Sequence, residues 1–170
     1  MLTSDDDFYT RAKKIRVHGS GHTYYHEMLG GMFRMAAVQA AGLSVKLPHV
    51  CEWNEKRIRN AHRYNELLLD SNVRTPVAAP GNVHVYHQYV VRVNDRDRVK
   101  DELTKRGVGC AVFYPLGLHL QQCFANLGHK PGDFPHTERA TAEVLALPIF
   151  PELRDDELKY VADNLRDVAG

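Results

Sequence analysis

The middle of the chain, residues 84–113, restricts the fold more than any other stretch. Residues 84–93 are rich in β-branched and aromatic side chains, and they alternate with period two, as in a β-strand. One set of positions holds Val85, His87, Tyr89, Val91 and Val93, and the other holds Tyr86, Gln88, Val90 and Arg92. A helix is predicted to follow and to end at Gly107, because glycine readily adopts the left-handed conformation at a helix C-terminus. Residues 108–113 are predicted to form a second strand. A strand, a helix and a strand in this order indicate a mixed α/β fold.

Helical periodicity and capping residues predict the remaining elements. Ser4 and the aspartates after it predict a helix start, and Pro48 is expected to separate two longer helices. The predicted helices cover residues 4–17, 36–47, 49–69, 95–106, 135–145 and 155–168, with one or two helical turns over 120–127 and a short extended piece over 147–151. We therefore expect an α/β (mixed α+β) fold in which long helices lead into a small sheet flanked by helices.

The composition narrows the range of partners. The formal net charge of the 170-residue chain is +1, from 22 basic and 21 acidic residues, without a long run of one sign, so neither nucleic acid nor an acidic membrane surface is favoured. No apolar run is long enough to span a bilayer. The three cysteines are widely spaced, which opposes a disulfide framework and favours a reducing, cytoplasmic setting.

A polar, glycine-rich segment precedes the second helix and carries candidate binding residues. It contains His18, His22 and His26, whose spacing would group three imidazoles for a metal on a helix. Gly19 and Gly21 oppose such a helix, so we predict no metal site. Loops of this kind often deliver tyrosine, histidine and arginine side chains to a site, although a plain surface loop before a core helix would have the same composition.

A second group of candidates follows the strand predicted over 108–113. Tyr114 and His119 lie just past its end, where α/β folds tend to place ligand contacts, although they could merely close a turn. Cys110 and Cys123 lie near His119, so a thiol nucleophile paired with histidine is conceivable. A small buried role is the commoner one for a cysteine within a strand.

Several motifs occur together and in order along nearly the whole chain. They are His18-Gly19, Tyr24-Tyr25-His26-Glu27, Gly30 to Ala41, Glu52 to Arg57, His84 to Tyr89, Tyr114-Pro115 with Leu118-His119, Gly132 to Pro135, and Leu147-Pro148 with Pro151-Glu152-Leu153. In this combination the chain resembles the DegT/DnrJ/EryC1/StrS family of sugar aminotransferases. The segment from Gly30 to Ala41 is similar to that family's G-x-N-x-R-M…Q-A-A signature.

The resemblance implies a pyridoxal-phosphate enzyme of fold type I, of which this chain is the C-terminal small-domain portion. Residues 1–34 would be the tail of the large cofactor domain with an active-site loop, residues 35–70 long connecting helices, and residues 71–170 the small C-terminal α/β domain. In this family an amino group, usually from glutamate, is transferred to a ketone of a nucleotide-activated deoxysugar. The resemblance implies that the Schiff-base lysine is absent from this chain, so no residue is assigned as catalytic and the chain alone is expected to be inactive.

The resemblance also implies roles for individual residues. Substrate contacts would come from six residues, namely Tyr24, Tyr25, His26, Arg34, Tyr114 and His119. Met32 occupies the position of the asparagine that reaches the cofactor phosphate, and a thioether cannot replace an amide donor. Ala36 likewise replaces an acidic residue.

The sequence is compatible with two main functions. One is the C-terminal part of a sugar aminotransferase that acts with a partner large domain or as a homodimer. The other is a non-catalytic, cap-like domain that dimerises or binds a nucleotide sugar. A metal-dependent hydrolase using the histidines is a remote third. A fragment that normally packs against a partner should expose the apolar surface of that interface and self-associate.

Overall fold

The computed structural model describes residues 2–22 and 24–170, and the chain forms two compact units, Met1–His49 and Val50–Gly170. The first unit begins with helix α1, Asp6–Ile15, followed by the short antiparallel strands β1, Ser20–His22, and β2, Tyr25–His26. Helix α2, Ala37–Lys46, and a 3-10 turn, Leu47–His49, complete it.

Helix α1 forms because its two ends are stabilised in the expected way. The Asp5 side chain accepts a hydrogen bond from the backbone N–H of Phe8 at 2.8 Å, so Asp5 rather than Ser4 is the N-cap. Acidic residues occupy the first turn and lysines the last turn, where each charge sign interacts favourably with the helix dipole. None of the described side chains of α1 or α2 is buried, so both helices present apolar residues to solvent.

The second unit contains the hydrophobic core. Its elements, in chain order, are α3 Val50–Leu67, β3 Tyr89–Arg92, α4 Arg96–Lys105, 3-10 turns Leu118–Leu120 and Gln122–Leu127, α5 Pro135–Glu143, β4 Val144–Leu147 and α6 Asp155–Ala169. The long helix of this unit leads through a loop into a small sheet flanked by helices. The predicted mixed α/β class is therefore confirmed.

The small sheet has β3 and β4 at its centre. These strands pair antiparallel, with Tyr89 opposite Leu147 and Arg92 opposite Val144. Arg74 forms a bridge to the outer side of β3, and Ala111 forms a bridge to the outer side of β4. Because Ala111 and β3 both run antiparallel to β4, they are parallel to each other, and α4 is the crossover between them. The predicted strand, helix and strand are thus present, but β4 lies between the two strands.

One face of the sheet packs on helices α3, α4 and α6. Tyr89 and Val91 of β3 and Leu145 and Leu147 of β4 point to this face and are buried, as alternation in a strand requires. The helices contribute apolar residues at helical spacing, including Tyr64, Val99, Leu103, Leu158, Val161, Ala162 and Leu165. Tyr64 stacks on Tyr89 with ring centroids 4.9 Å apart. Trp53, the largest apolar side chain of α3, is only half-buried.

The predicted strands were too long. Residues 84–93 were expected to be extended, but Tyr86 has a φ of 48°, which is incompatible with a strand. Its backbone N–H donates to His84 Nδ1 at 3.0 Å instead of pairing with a neighbouring strand. Residues 108–113 contribute a single bridge residue, and the extended segment expected over 147–151 begins earlier, at Val144.

The predicted helix bounds agree better with the structure than the predicted strand bounds do. Helix α4 ends as expected, since Gly107 at φ 76° donates its N–H to Thr104 while Val108 donates to Leu103. Helices α3 and α5 are shorter than predicted, ending at Leu67 and Glu143. None of the described helices is long and apolar enough to cross a membrane.

Candidate functional site

A cleft of about 640 Å³ in the first unit collects most of the candidates from the glycine-rich segment. We call it the hairpin cleft because β1 and β2 form one side of it. Of the predicted site residues it brings together Tyr24, His26, Met32 and Arg34. The other lining residues are Val17, His18, Ser20, Gly21 and His22.

The base of the hairpin cleft is fixed to the C-terminus of α1. The backbone N–H groups of Gly19, Gly31 and Phe33 donate to the carbonyls of Lys14, Ile15 and Arg16 at 2.8, 2.9 and 3.0 Å. These carbonyls have no partner within the helix, so the loop satisfies them. The cleft is therefore held by main-chain bonds.

Glycine is required where the two ends of this loop meet. Gly19 has a φ of 74°, and a Cβ there would lie 1.7 Å from the carbonyl oxygen of Met28. That close approach lets the Gly19 carbonyl accept the N–H of Glu27 at 2.8 Å. The Glu27 carboxylate in turn forms an ion pair with Lys14, whose hydrogen bond and charge lower the pKa of Glu27.

The hairpin cleft offers several hydrogen-bond donors. His26 Nδ1 donates to the carbonyl of His18 at 3.0 Å, which fixes its ring and leaves Nε2 for a ligand. Arg34 donates from Nε to the Met32 sulfur at 3.4 Å, so Met32 acts as an acceptor for the neighbouring guanidinium. Tyr24 is 90% exposed, with φ 70°. Guanidinium, imidazole and phenol groups together suit an anionic or hydroxyl-rich ligand.

Not every candidate of the glycine-rich segment belongs to this cleft. Tyr25 lies on β2 with its side chain exposed and does not line it. His18, His22 and His26 all line it, brought together by the hairpin and not by a helix. Within residues 2–22 and 24–170, no group of three or more His, Cys, Asp or Glu side chains is arranged to hold a metal ion.

A second cleft, of about 480 Å³, contains Tyr114 and is called the Tyr114 cleft here. Tyr114 has a φ of 58°, and its side chain is 77% exposed. The walls come from the face of the sheet opposite the core and from α5, and they are mostly apolar. They consist of Gln88, Val90, Phe113, His136, Thr137, Ala140, Thr141 and Val144.

His119 does not line the Tyr114 cleft. Its side chain is only 7% exposed and its Nε2 lies 3.0 Å from Oε1 of Glu138, so the ring donates to the carboxylate. The ring also packs on Phe134, with centroids 4.8 Å apart. His119 therefore holds the loop between the 3-10 turns and α5, and its predicted contact with substrate stays a prediction.

Glu138 is the centre of that loop. Its carboxylate accepts the Gly132 N–H at 2.9 Å and the Phe134 N–H at 3.3 Å, in addition to the His119 ring. These hydrogen bonds, that from Gly132 above all, lower the pKa of Glu138. The loop is thus organised by a carboxylate that stays ionised at neutral pH.

The cysteine alternative finds no support in the local chemistry. Cys110 is half-buried, and burial raises the pKa of its thiol, which disfavours the thiolate that a nucleophile needs. Its sulfur lies 3.8 Å from the carbonyl of Lys100. Cys51, Cys110 and Cys123 are free thiols.

Comparison with known proteins shows to which family this chain belongs. The model of the DegT/DnrJ/EryC1/StrS aminotransferase family matches residues 1–166. The chain belongs to this family. The DegT/DnrJ/EryC1/StrS resemblance inferred from the sequence motifs is thereby confirmed.

Curated members of the DegT/DnrJ/EryC1/StrS family match nearly all of the chain. A "pleiotropic regulatory protein" of Geobacillus stearothermophilus is 42% identical over an alignment 170 positions long that covers 98% of this chain and 46% of that protein. A UDP-N-acetyl-3-dehydro-alpha-D-glucosamine 3-aminotransferase of Acidithiobacillus ferrooxidans is 35% identical over 98% of this chain and 44% of its own length. The chain therefore spans about half the length of the curated relatives it matches.

Solved structures of DegT/DnrJ/EryC1/StrS proteins have the same fold over the same extent. The crystal structure of S. venezuelae DesV superposes with a TM-score of 0.95 at 32% identity, covering 99% of this chain and 46% of DesV. A DegT/DnrJ/EryC1/StrS aminotransferase from Brucella abortus superposes with a TM-score of 0.92 at 29% identity, and the match covers 99% of this chain and 45% of the Brucella chain.

Enzymes of the DegT/DnrJ/EryC1/StrS type use pyridoxal phosphate. The residues that line the two clefts suit the phosphate group of this cofactor but not its covalent attachment. Arg34, His26 and Tyr24 are suitable donors for a phosphate or carboxylate group. None of the described residues that line the hairpin cleft or the Tyr114 cleft is a lysine. These clefts therefore do not fit covalent attachment of the cofactor.

Some cleft residues of this DegT/DnrJ/EryC1/StrS chain were missed by sequence reasoning. Gln88, His136 and Thr137 line the Tyr114 cleft, although they are distant from Tyr114 in sequence. The only available signal was strand alternation, which places Gln88 on the face opposite Tyr89. His136 and Thr137 lie in the first turn of α5, and nothing in the sequence indicates that this turn lies beside the sheet.

Proposed function

We propose that this protein is the C-terminal part of a PLP-dependent aminotransferase that aminates a keto group of a nucleotide-activated deoxysugar, with glutamate as the donor. The observation that carries the proposal is the family match over residues 1–166. It is supported by relatives named for this reaction, among them a dTDP-3-amino-3,4,6-trideoxy-alpha-D-glucose transaminase of Streptomyces venezuelae that is 32% identical over 99% of this chain.

In this proposal the hairpin cleft receives the anionic part of a ligand. Arg34 supplies a charged donor, His26 presents Nε2 and Tyr24 lines the cleft. Tyr25 is exposed on β2 outside the cleft lining, and its contact with substrate stays a prediction. The strength of guanidinium hydrogen bonds to phosphate or carboxylate supports this assignment. Tyr114 contacts the sugar nucleotide in its own cleft, and His119 shapes the neighbouring loop through Glu138.

The proposed organisation has three parts. Residues 1–34 are the tail of a large cofactor domain, residues 35–70 are connecting helices, and residues 71–170 are the small domain. The partner is a separate large domain or a second copy of the chain. Apolar residues are exposed on α2 and the turn after it, such as Leu43 and Leu47. Their exposure supports an interface that the partner covers. A cytoplasmic location agrees with the free cysteines.

The chain alone is proposed to be unable to transaminate, because a lysine is needed beside the cofactor and the two clefts offer none among their described residues. The test is the absorbance spectrum and intact mass of the protein with pyridoxal phosphate, before and after borohydride reduction. No lasting band and no mass gain at a single lysine is the expected result. A stoichiometric gain at one lysine, with turnover of glutamate and a keto sugar nucleotide, would refute the proposal.

The second candidate is a non-catalytic domain that dimerises or binds a nucleotide sugar. Met32 favours it, because its sulfur accepts a hydrogen bond from Arg34 where the family usually has an amide donor. One measurement distinguishes the two candidates. It is the aminotransferase activity of the chain after the large cofactor domain of a relative has been added. Restored turnover supports the enzyme, and sugar-nucleotide binding without turnover supports the binding domain.

A further inference from the structure

We propose that the second unit carries a binding site for a small phosphate-bearing anion, built on Arg74 and Arg92. This site goes beyond the proposed function, and its ligand binding does not depend on transamination. It is a polar pocket of about 320 Å³, called the arginine pocket here. Its polar lining residues are Ser71, Asn72, Arg74, Arg92, Asn94 and Glu143.

The backbone forces the two arginines onto one face of the sheet. Arg74 donates its N–H to the carbonyl of Arg92 and accepts the N–H of Arg92, both at 2.9 Å. Two residues that exchange both hydrogen bonds in an antiparallel pair lie directly opposite each other, with side chains on the same face. Like charges in this position are destabilising unless an opposite charge lies between or beside them.

The chain provides only part of that opposite charge. Glu143 Oε2 accepts Arg92 Nε at 2.8 Å, and Glu143 Oε1 lies 4.0 Å from Nε of Arg139. One carboxylate thus serves two guanidinium groups. Within the described chain, the Arg74 side chain has neither a hydrogen bond nor an ion pair. The pocket and its rim therefore carry two more positive than negative charges, which favours an added anion.

The pocket also contains hydrogen-bond donors besides the arginines. Arg92 Nη2 is buried and lies 2.5 Å from Glu143 Oε2, the same oxygen that accepts Arg92 Nε, so Glu143 pairs with one side of the Arg92 guanidinium. The side-chain amides of Asn72 and Asn94 add neutral donors, whereas the Ser71 hydroxyl already donates to Leu68.

Phosphate is the anion that this set of groups fits. Guanidinium groups present planar pairs of N–H donors that match the oxygen spacing of phosphate, and two of them match its double charge. A singly charged carboxylate would compensate only one of the two excess positive charges of the pocket and its rim. The position of Glu143 at one side directs the ligand towards Arg74.

The test is a titration of the ¹⁵N-labelled chain with inorganic phosphate at constant ionic strength, followed by NMR. Saturable shifts are expected for the backbone amides of residues 72–74 and 92–94. Arg74→Gln should weaken phosphate binding about tenfold, since a charge-assisted hydrogen bond is lost. Arg59→Gln is the matched control, because Arg59 is an exposed arginine on α3 that does not line the pocket, and it should leave the affinity unchanged.

Three results would overturn the proposal. The first is the absence of saturable shifts at these amides. The second is an equal loss of affinity in Arg74→Gln and Arg59→Gln, which would mean general charge screening. The third is acetate binding at the same amides as tightly as phosphate, which would contradict the assignment to a doubly charged anion. Arg74 is exposed, so its replacement is not expected to affect folding.

Discussion

His119, in the 3-10 turn that follows Tyr114, donates a hydrogen bond from Nε2 to Oε1 of Glu138 on α5 across 3.0 Å. The same carboxylate accepts the N–H groups of Gly132 and Phe134. One side chain on α5 therefore fixes a histidine nineteen residues earlier and the turn just before the helix. The geometry of this loop, including the backbone next to the Tyr114 cleft, depends on an ionised carboxylate.

The first prediction concerns the ionisation of Glu138. Its pKa is lowered in the folded chain, so its contribution to stability is fully present above its ordinary pKa of about 4.3 and is lost as the pH falls through the folded value. Glu138→Gln should lower the urea midpoint at pH 7, and the difference from wild type should shrink as the pH approaches 3. Glu152→Gln changes an exposed glutamate and should have no effect at either pH. An unchanged midpoint at pH 7 in Glu138→Gln would contradict this role.

The second prediction concerns the hydroxyl group of Tyr64 in the core. Tyr64 is fully buried and donates to the carbonyl of Pro148 at 2.9 Å. Tyr64→Phe leaves that carbonyl without its partner and should lower the free energy of unfolding by about 1–2 kcal/mol.

Tyr160→Phe provides the matched comparison for Tyr64→Phe. Its hydroxyl donates to the carbonyl of Arg106 at 2.8 Å, but the residue is exposed, so water can replace the bond. The expected loss is below about 0.5 kcal/mol. Equal losses in the two variants, measured by urea denaturation, would mean that burial does not determine the effect.

The third prediction concerns the closure of the hairpin cleft by Gly19. Gly19→Ala places a methyl group against the carbonyl of Met28 at a left-handed φ, so the bond between Gly19 and the Glu27 N–H should break. Hydrogen exchange at Glu27 should accelerate at least about fivefold, given a strain above roughly 1 kcal/mol. Gly42→Ala, in the open middle of α2, should leave that rate unchanged. Full protection of Glu27 in Gly19→Ala would show that the loop has another way to close.

The fourth prediction concerns the C-terminus of α4. Gly107 is left-handed and its N–H completes the end of the helix, so Gly107→Ala should reduce the free energy of unfolding by about 1 kcal/mol. Gly109→Ala is the control, because Gly109 has an ordinary φ and open space around its Cα. A destabilisation by Gly109→Ala as large as that by Gly107→Ala would argue against the role of the left-handed conformation.

The sequence predicted features that depend on neighbouring residues. The beginning of α1 within one residue of the predicted cap Ser4, the end of α4 before Gly107 and the helix predicted over 155–168 follow from caps and helical spacing, which act within a few residues. The family could also be inferred, because its motifs appear in order along the chain. Four of the predicted contact residues of the glycine-rich segment do share a cleft, since they are close in sequence.

Features that depend on residues far apart in sequence were decided by the tertiary structure. Strand β3 pairs over its four residues with β4, which lies more than fifty residues later in the chain. The pairing of Arg74 with Arg92, and of His119 with Glu138, follows from how strands and helices meet in space. A local pattern specifies which conformation a segment prefers. Which distant segment satisfies its hydrogen bonds, charges and apolar surface is fixed only when the whole second unit packs.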